Sequence, residues 1–247
     1  LKLVKSNPVG IISSRPWYKA KVQTPGSVAV YPMEGDRYRV LINNDNWQFI
    51  SDHTVSLGDT VRFEHHGVLI EKGLSLPDGV AVSLDQQWIA VSNHVDGEVL
   101  LFKNSPNLNR NTSATASLQG VVCPHGIDFD ASGNLYAADA ASPYMHVFKQ
   151  PATGWGGAQQ PSFRIRMVDR ETFFRGRYDC YEGGLKGLHI NKANDLLVTS
   201  FKFGILEFRS LKRLDGNSDP VDEDELQLCV DGRNRYAAGS VITHSRH

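Results

Sequence analysis

The stretch CPHGIDFDASGNLYAADAASPYMHVF, residues 123–148, decides the fold reading. It enters through Pro124-His125-Gly126, runs into an apolar alternation and turns at Ser132-Gly133-Asn134. A second alternation, Leu135 to Ala138, and a third, Met145 to Phe148, follow. A period of two puts successive side chains on opposite faces of a strand. Three such runs joined by turn residues are either one hairpin in a mixed domain or one unit of a repeat.

The stretch recurs. Pro77-Asp78-Gly79-Val80-Ala81-Val82 and Pro25-Gly26-Ser27-Val28-Ala29-Val30 repeat its entry, as do Leu185-Lys186-Gly187-Leu188-His189-Ile190 and Ala238-Gly239-Ser240-Val241-Ile242-Thr243 in outline. The starts at 25, 77, 124, 185 and 238 are separated by 52, 47, 61 and 53 residues. A period near fifty matches one four-stranded propeller blade. The rest of the unit recurs too. After a turn, second strands are expected at Trp88–Ser92, Leu135–Ala138 and Leu196–Thr199. Third strands at Glu98–Phe102, Met145–Phe148 and Gly204–Phe208 each end on a Phe. Fourth strands are expected at Ala114–Leu118, Phe163–Val168 and Leu226–Val230. The Gly of Pro-x-Gly stands where the chain passes from an outer strand to the next innermost one, a place for unusual dihedrals or close backbone contact.

The expected fold is therefore all-β: a single β-propeller of four-stranded blades over residues 1–247, five-bladed. Gly239 to His244 supplies one strand of the closing blade, and Leu1–Lys5, Val9–Ser13 and Tyr18–Val22 supply three. Sharing a blade between the termini removes exposed sheet edges. A six-bladed ring would require residues upstream of Leu1. The chain's 247 residues are enough for such a core, and its net charge of −1 gives no general pull toward nucleic acid or an anionic membrane. No apolar run has the length of a membrane span. Cys123, Cys180 and Cys229 fit neither a disulfide scaffold nor a zinc spacing and read as buried structural thiols. Asn111-Thr112-Ser113 is a glycosylation sequon, relevant only to a secreted protein. There is no Gly-x-Ser-x-Gly elbow and no Gly-rich phosphate loop ahead of a helix.

Leu135-Tyr136-Ala137-Ala138-Asp139 with Met145-His146-Val147-Phe148, and Pro77 to Val82, resemble the NHL repeat. The same pattern is similar to blades of gluconolactonase- and paraoxonase-like propellers. That resemblance implies a propeller and, for the lactonase-like branch, a catalytic divalent metal held at the channel mouth by residues of several blades. The matching rim positions are Asn43 or Asn44, Asn93, Asp139 and Ser200. In that reading Asn93 and Asp139 help hold Ca²⁺, and His125 is the base of a lactonase- or esterase-like hydrolase.

Two rings of rim residues follow from the repeat. The residue inside Pro-x-Gly is Gly26, Asp78, His125, Lys186 or Gly239; the end of the second strand carries Asn44, Asn93 with His94, Asp139, or Ser200 with Lys202. Asn44, Asp78, Asn93, His94, His125, Asp139 and Lys186 are the candidate ligand-binding set. The competing reading is that Asp and Asn here satisfy backbone N–H groups of the turns. The longest step adds Arg164, Arg166, Arg170, Arg175 and Arg177 among aromatics, which suits an anionic partner. The acidic run from Asp215 to Glu225 could instead neutralise them locally. Gly154-Trp155-Gly156-Gly157 reads as a flexible loop with a solvated Trp, or as a stacking platform, and His65-His66 and the terminal His residues as incidental. The leading expectation is a module that binds a small polar ligand or a protein loop at the channel mouth. A metal-dependent hydrolase and an anion-binding scaffold are the alternatives.

Overall fold

A computed structural model describes residues 22–167, Phe173, residues 184–191, and strands at 196–201, 204–209 and 226–229. Its first sheet is β1 (Pro25–Pro32), β2 (Arg37–Asn44), β3 (Phe49–Ser56) and β4 (Arg62–Ile70). The second is β5 (Pro77–Val82), β6 (Trp88–Asn93), β7 (Glu98–Lys103) and β8 (Ala116–Leu118). The third is β9 (Pro124–Phe129), β10 (Leu135–Asp139), β11 (Tyr144–Phe148) and β13 (Phe163–Arg166), with β12 (Gly157–Gln159) inserted in sequence before β13. The fourth is β14 (Leu185–Asn191), β15 (Leu196–Phe201), β16 (Gly204–Arg209) and β17 (Leu226–Cys229). In each sheet these strands follow chain order and run antiparallel. The first residues of β1, β5, β9 and β14 are the repeat starts expected at 25, 77, 124 and 185. The strands expected to close a fifth blade, at both ends of the chain, lie outside the described residues.

Alternation explains the packing. In the second sheet Val80, Ile89, Val91, Leu100 and Phe102 pack against Leu41, Ile50 and Ile70 of the first. Ala81, Ala90, Val99 and Leu101 point the other way, against Ile127, Phe129, Leu135 and Ala137 of the third. The third sheet's Tyr136, Met145, Val147 and Ile165 meet Leu185 and Ile190 of the fourth. The second and third sheets are thus buried on both faces by their neighbours. Each fully buried aliphatic or aromatic side chain contributes roughly 1.5–3 kcal/mol. Phe102 and Phe148, which end their third strands, are both in the core.

The innermost strands lie side by side. A Cβ at Gly79 would meet the His125 carbonyl oxygen, and one at Gly126 would meet the backbone of Lys186 and Leu188. Close approach between neighbouring sheets is what requires Gly here. Side chains stitch the same seam: Val80 N donates to Ser27 Oγ at 2.8 Å and Ile190 N to Asp128 Oδ2 at 2.8 Å.

Three expectations need correction. The second sheet has five strands, because β12 adds to β8 in parallel. That pairing folds the Gly154–Gly157 loop back onto the second sheet. Trp155 is consequently buried, packed with Trp88, Ala116 and Leu118, and is neither solvated nor a stacking platform. Burying so large an apolar ring outweighs the loop's glycine-rich flexibility. Cys123 is in no disulfide and is half-buried rather than buried, because it sits just ahead of the β9 rim. His65 and His66 do face apart: His65 stacks near His53, ring centroids 4.8 Å apart, while His66 Nε2 meets Thr54 Oγ1 at 2.7 Å.

Candidate functional site

A shared irregularity builds the site. Pro25 pairs with Asn44, Pro77 with Asn93 and Pro124 with Asp139, and Leu185 takes the same place opposite Phe201. The register then slips before Val28, Val80, Ile127 and Leu188. Two residues of each innermost strand, 26–27, 78–79, 125–126 and 186–187, therefore oppose one on the second strand. A bulge leaves its extra residue without a ladder partner, bends the strand and re-aims a side chain. The re-aimed residues are the central ones of Pro-x-Gly.

Three of them meet. Asp78 Oδ2 pairs with His125 Nδ1, and Lys186 Nζ lies 2.9 Å from His125 Nε2. With Lys186 charged, its ammonium donates to Nε2, which leaves the Nδ1 proton for Asp78. His94, just beyond β6, sets its ring edge-on to that of His125, with centroids 4.6 Å apart and planes at 74°. The Asp78, His94 and His125 donor atoms lie within 4.8 Å of one another.

In the first sheet the corresponding residue is Gly26, and the Asp45 carboxylate occupies the space where its Cβ would be. Asn43 Nδ2 holds Asp45 Oδ1 at 2.9 Å and also donates to the Pro77 carbonyl at 2.8 Å. Burial, then the charge of Asp78, pushes the Asp45 carboxyl up to about 7. Asp78 moves the other way: burial opposes its ionisation, but His125, His94 and Lys186 together hold it below the usual carboxylate range. Burial, then the neighbouring charge of His125, lowers His94. Asp45 was missed in the sequence; the signal for it was Gly26, a rim position with no side chain, two strands' ends from an Asn-Asn-Asp run.

The second-strand ends do something else. Asn44 Oδ1 accepts Gln23 N at 2.5 Å, and its Nδ2 donates to the Ile42 carbonyl and Ser51 Oγ. Asn93 Oδ1 accepts Ser75 N at 2.6 Å, and its Nδ2 donates to the Gly73 carbonyl at 3.0 Å. Asp139 Oδ1 accepts Cys123 N and Ala141 N, while Oδ2 accepts Val122 N and Ser142 Oγ and faces His146 Nε2 at 3.2 Å. Burial works against Asp139, but His146, the two amides and Ser142 bring it down to about 2. All three residues clasp the segment that enters their own innermost strand. Asn93 and Asp139 share no partner, and the oxygens of each are engaged by backbone N–H groups. They do not fit a common Ca²⁺ ion.

Arg164 and Arg166 lie on β13, away from the buried Ile165 face; Arg164 is exposed and Arg166 half-buried. Arg170, Arg175, Arg177, Lys202, Gly239 and the side chain of Ser200 lie outside the described residues. A separate cavity of about 490 Å³ opens between the first two sheets, lined by Arg39, Asp52, His66 and Asn104 among others. Arg39 is committed there, in a two-bond pairing with Asp52 at 2.8 and 2.9 Å and a bond to the Tyr31 hydroxyl at 2.9 Å.

No protein-family model matches the chain, and no curated protein does. Solved structures do. Hydrazine synthase of Kuenenia stuttgartiensis is 15% identical, with a TM-score of 0.51 over 74% of this chain and 45% of that one. A putative 6-phosphogluconolactonase from Bacteroides uniformis is 11% identical, with a TM-score of 0.51 over 81% of this chain and 55% of that one. A nidogen/laminin complex structure is 16% identical, with a TM-score of 0.47 over 76% and 61%. The chain spans about half the length of the chains it matches. At such identities the likeness carries the fold alone: this is an all-β chain of propeller architecture.

Proposed function

We propose that residues 1–247 form one propeller domain, closed into five blades by strands from both termini, whose channel mouth binds a small polar ligand. One observation carries this reading. The bulge residues of three successive sheets, Asp78, His125 and Lys186, address one another rather than their own turns. Their hydrogen bonds run between side chains, so a ligand's hydroxyl or carboxyl groups can replace them without unmaking the backbone. Asp45 and His94 flank the chain, giving donors and acceptors of both kinds in a half-buried mouth. Asn44, Asn93 and Asp139 support that mouth from behind by fixing the entry of each innermost strand.

The other two readings have less behind them. A Ca²⁺-dependent lactonase with Asn93 and Asp139 as ligands would need oxygens that the backbone already uses, whatever the name of one structural neighbour. An anion-binding scaffold would rest on Arg164 and Arg166, while the near-zero net charge argues against nucleic acid.

The test is a thermal-shift panel of hydroxy acids, lactones, sugars and short peptides, run in chelator on the wild type, Asp78→Ala and His125→Ala. One class should raise the wild-type Tm, since a ligand at a hundredfold its Kd stabilises by about 2.7 kcal/mol. Both variants should lose that shift. A shift that survives both substitutions, or no shift for any class, overturns the reading.

A further inference from the structure

The same mouth holds a donor set that the polar-ligand reading does not use up. Asp78, His94 and His125 offer one carboxylate oxygen and two imidazole nitrogens, all within 4.8 Å of one another. They come from two sheets: Asp78 from the bulge of β5, His94 from the end of β6 and His125 from the bulge of β9. His94 is buried and the other two are half-buried, so the cluster is screened yet open on one side. The scaffold beneath is rigid, because the strands that carry it are packed on both faces.

We infer that Asp78, His94 and His125 form a binding site for a first-row transition-metal dication of the Zn²⁺ class. The inference rests on the same mouth as the polar-ligand reading and deepens it. Two imidazoles and one carboxylate suit a borderline-soft ion with an open coordination position. They do not suit Ca²⁺, which takes six to eight oxygen ligands. The Asp45 carboxyl, in the gap at Gly26 and held by Asn43, is a further oxygen donor at the same mouth. Behind it, Asn43 is fully buried; its Nδ2 is spent on Asp45 and Pro77, and its Oδ1 has no hydrogen-bond partner.

Lys186 is the opposing group. Its ammonium contacts His125 Nε2, the ring edge away from the Asp78 contact at Nδ1. An ion on Nδ1 would shift the ring proton to Nε2, where it meets the Lys186 ammonium donor to donor, so Lys186 opposes the ion both by charge and by hydrogen bonding. A plain Asp–His–Lys ion-pair network has no such consequence, so Lys186 discriminates the two.

The experiment uses the whole chain, stripped by chelator and dialysed. It is titrated with Co²⁺ while the visible d–d bands are followed, and then with Zn²⁺ by calorimetry. Wild type should bind at a single site, with Zn²⁺ displacing Co²⁺ and bleaching the bands. Asp78→Asn, His94→Gln and His125→Gln should each weaken binding by more than about tenfold. Lys186→Met should tighten it by at least about tenfold. Melting without metal establishes that each variant is folded. Absence of bands and heat in the wild type overturns the inference, as does binding that survives the His94→Gln/His125→Gln double variant, which His65, His66 or the terminal imidazoles would explain. Looser binding in folded Lys186→Met also overturns it. The panel described above separates the two readings: a ligand bound in chelator with no Co²⁺ bands sinks only the metal site, and bands with no ligand for any class sink only the ligand site.

Discussion

Two rings of residues crown the same ends of the same strands, and they behave in opposite ways. Asn44, Asn93 and Asp139 sit in register with the first residue of an innermost strand. Just ahead of that residue the entering segment has backbone N–H groups with no strand to pair with, and these side chains take them. Asp78, His125 and Lys186 sit one residue later, inside the bulge, and their side chains meet across the seams between neighbouring sheets. One residue of register thus separates a clasp on the chain's own entry segment from a side chain that reaches across a seam. Asp139 and Asp45, an acid of the mouth that belongs to neither ring, shift in opposite directions. Asp139, fed by N–H donors, is brought down to about 2, and Asp45, buried beside another carboxylate, is pushed up to about 7.

The strongest way to break the comparison is Asp139→Ala. It would strand three part-buried backbone donors, Ser142 and the buried His146, and should cost about 3 kcal/mol in denaturant unfolding. The protein that remains folded should keep its ligand and metal affinity. Loss of affinity without loss of stability would put Asp139 in the binding ring instead. Gly126→Val comes next, at about 3 kcal/mol, because the added side chain meets backbone of the neighbouring strand rather than a movable side chain. The equivalent change at Gly156, which has open space around it, should stay within about 0.5 kcal/mol.

Acid stability gives a smaller and signed effect. The folded value of Asp139 lies below the ordinary 3.8, so its contribution is fully present above 3.8 and is lost as the pH falls toward about 2. Asp139→Asn should therefore flatten the acid limb of a stability–pH curve by about 2 kcal/mol. For Asp45 the sign reverses. Its folded value is raised from 3.8 to about 7, so wild-type stability falls as the pH rises through that window. Asp45→Asn should leave stability unchanged at pH below 3.8 and raise it by about 1 kcal/mol above pH 7, the smallest of these effects. An Asp45→Asn variant less stable at high pH would mean that the fold favours the charged carboxylate and that its folded value is not raised.

Much of this was readable in one dimension. Pro-x-Gly and its looser relatives at steps of about fifty residues located every described sheet start, and the terminal Phe of each third strand located core positions that Phe102 and Phe148 fill. The pattern carries that far because alternation and turn chemistry are local properties of the chain. Trp155 was misread for the same reason: its neighbours in sequence are glycines, while its neighbours in space are Trp88 and Leu118 of another sheet.

Residue types, spacing and the rim set of Asp, His, Lys and Asn were properties of the sequence, and so was the choice of a strand-and-turn repeat. Which rim residues are consumed by the fold was decided in three dimensions. A bulge shifts the register by one residue, and Gly26 leaves a gap that Asp45 enters from the turn after β2. Both depend on which backbone groups find partners across a sheet and which side chains face across the seam between sheets. Those pairings join residues tens of positions apart, as Lys186 and His125 are, and only the packed structure brings them within hydrogen-bond range.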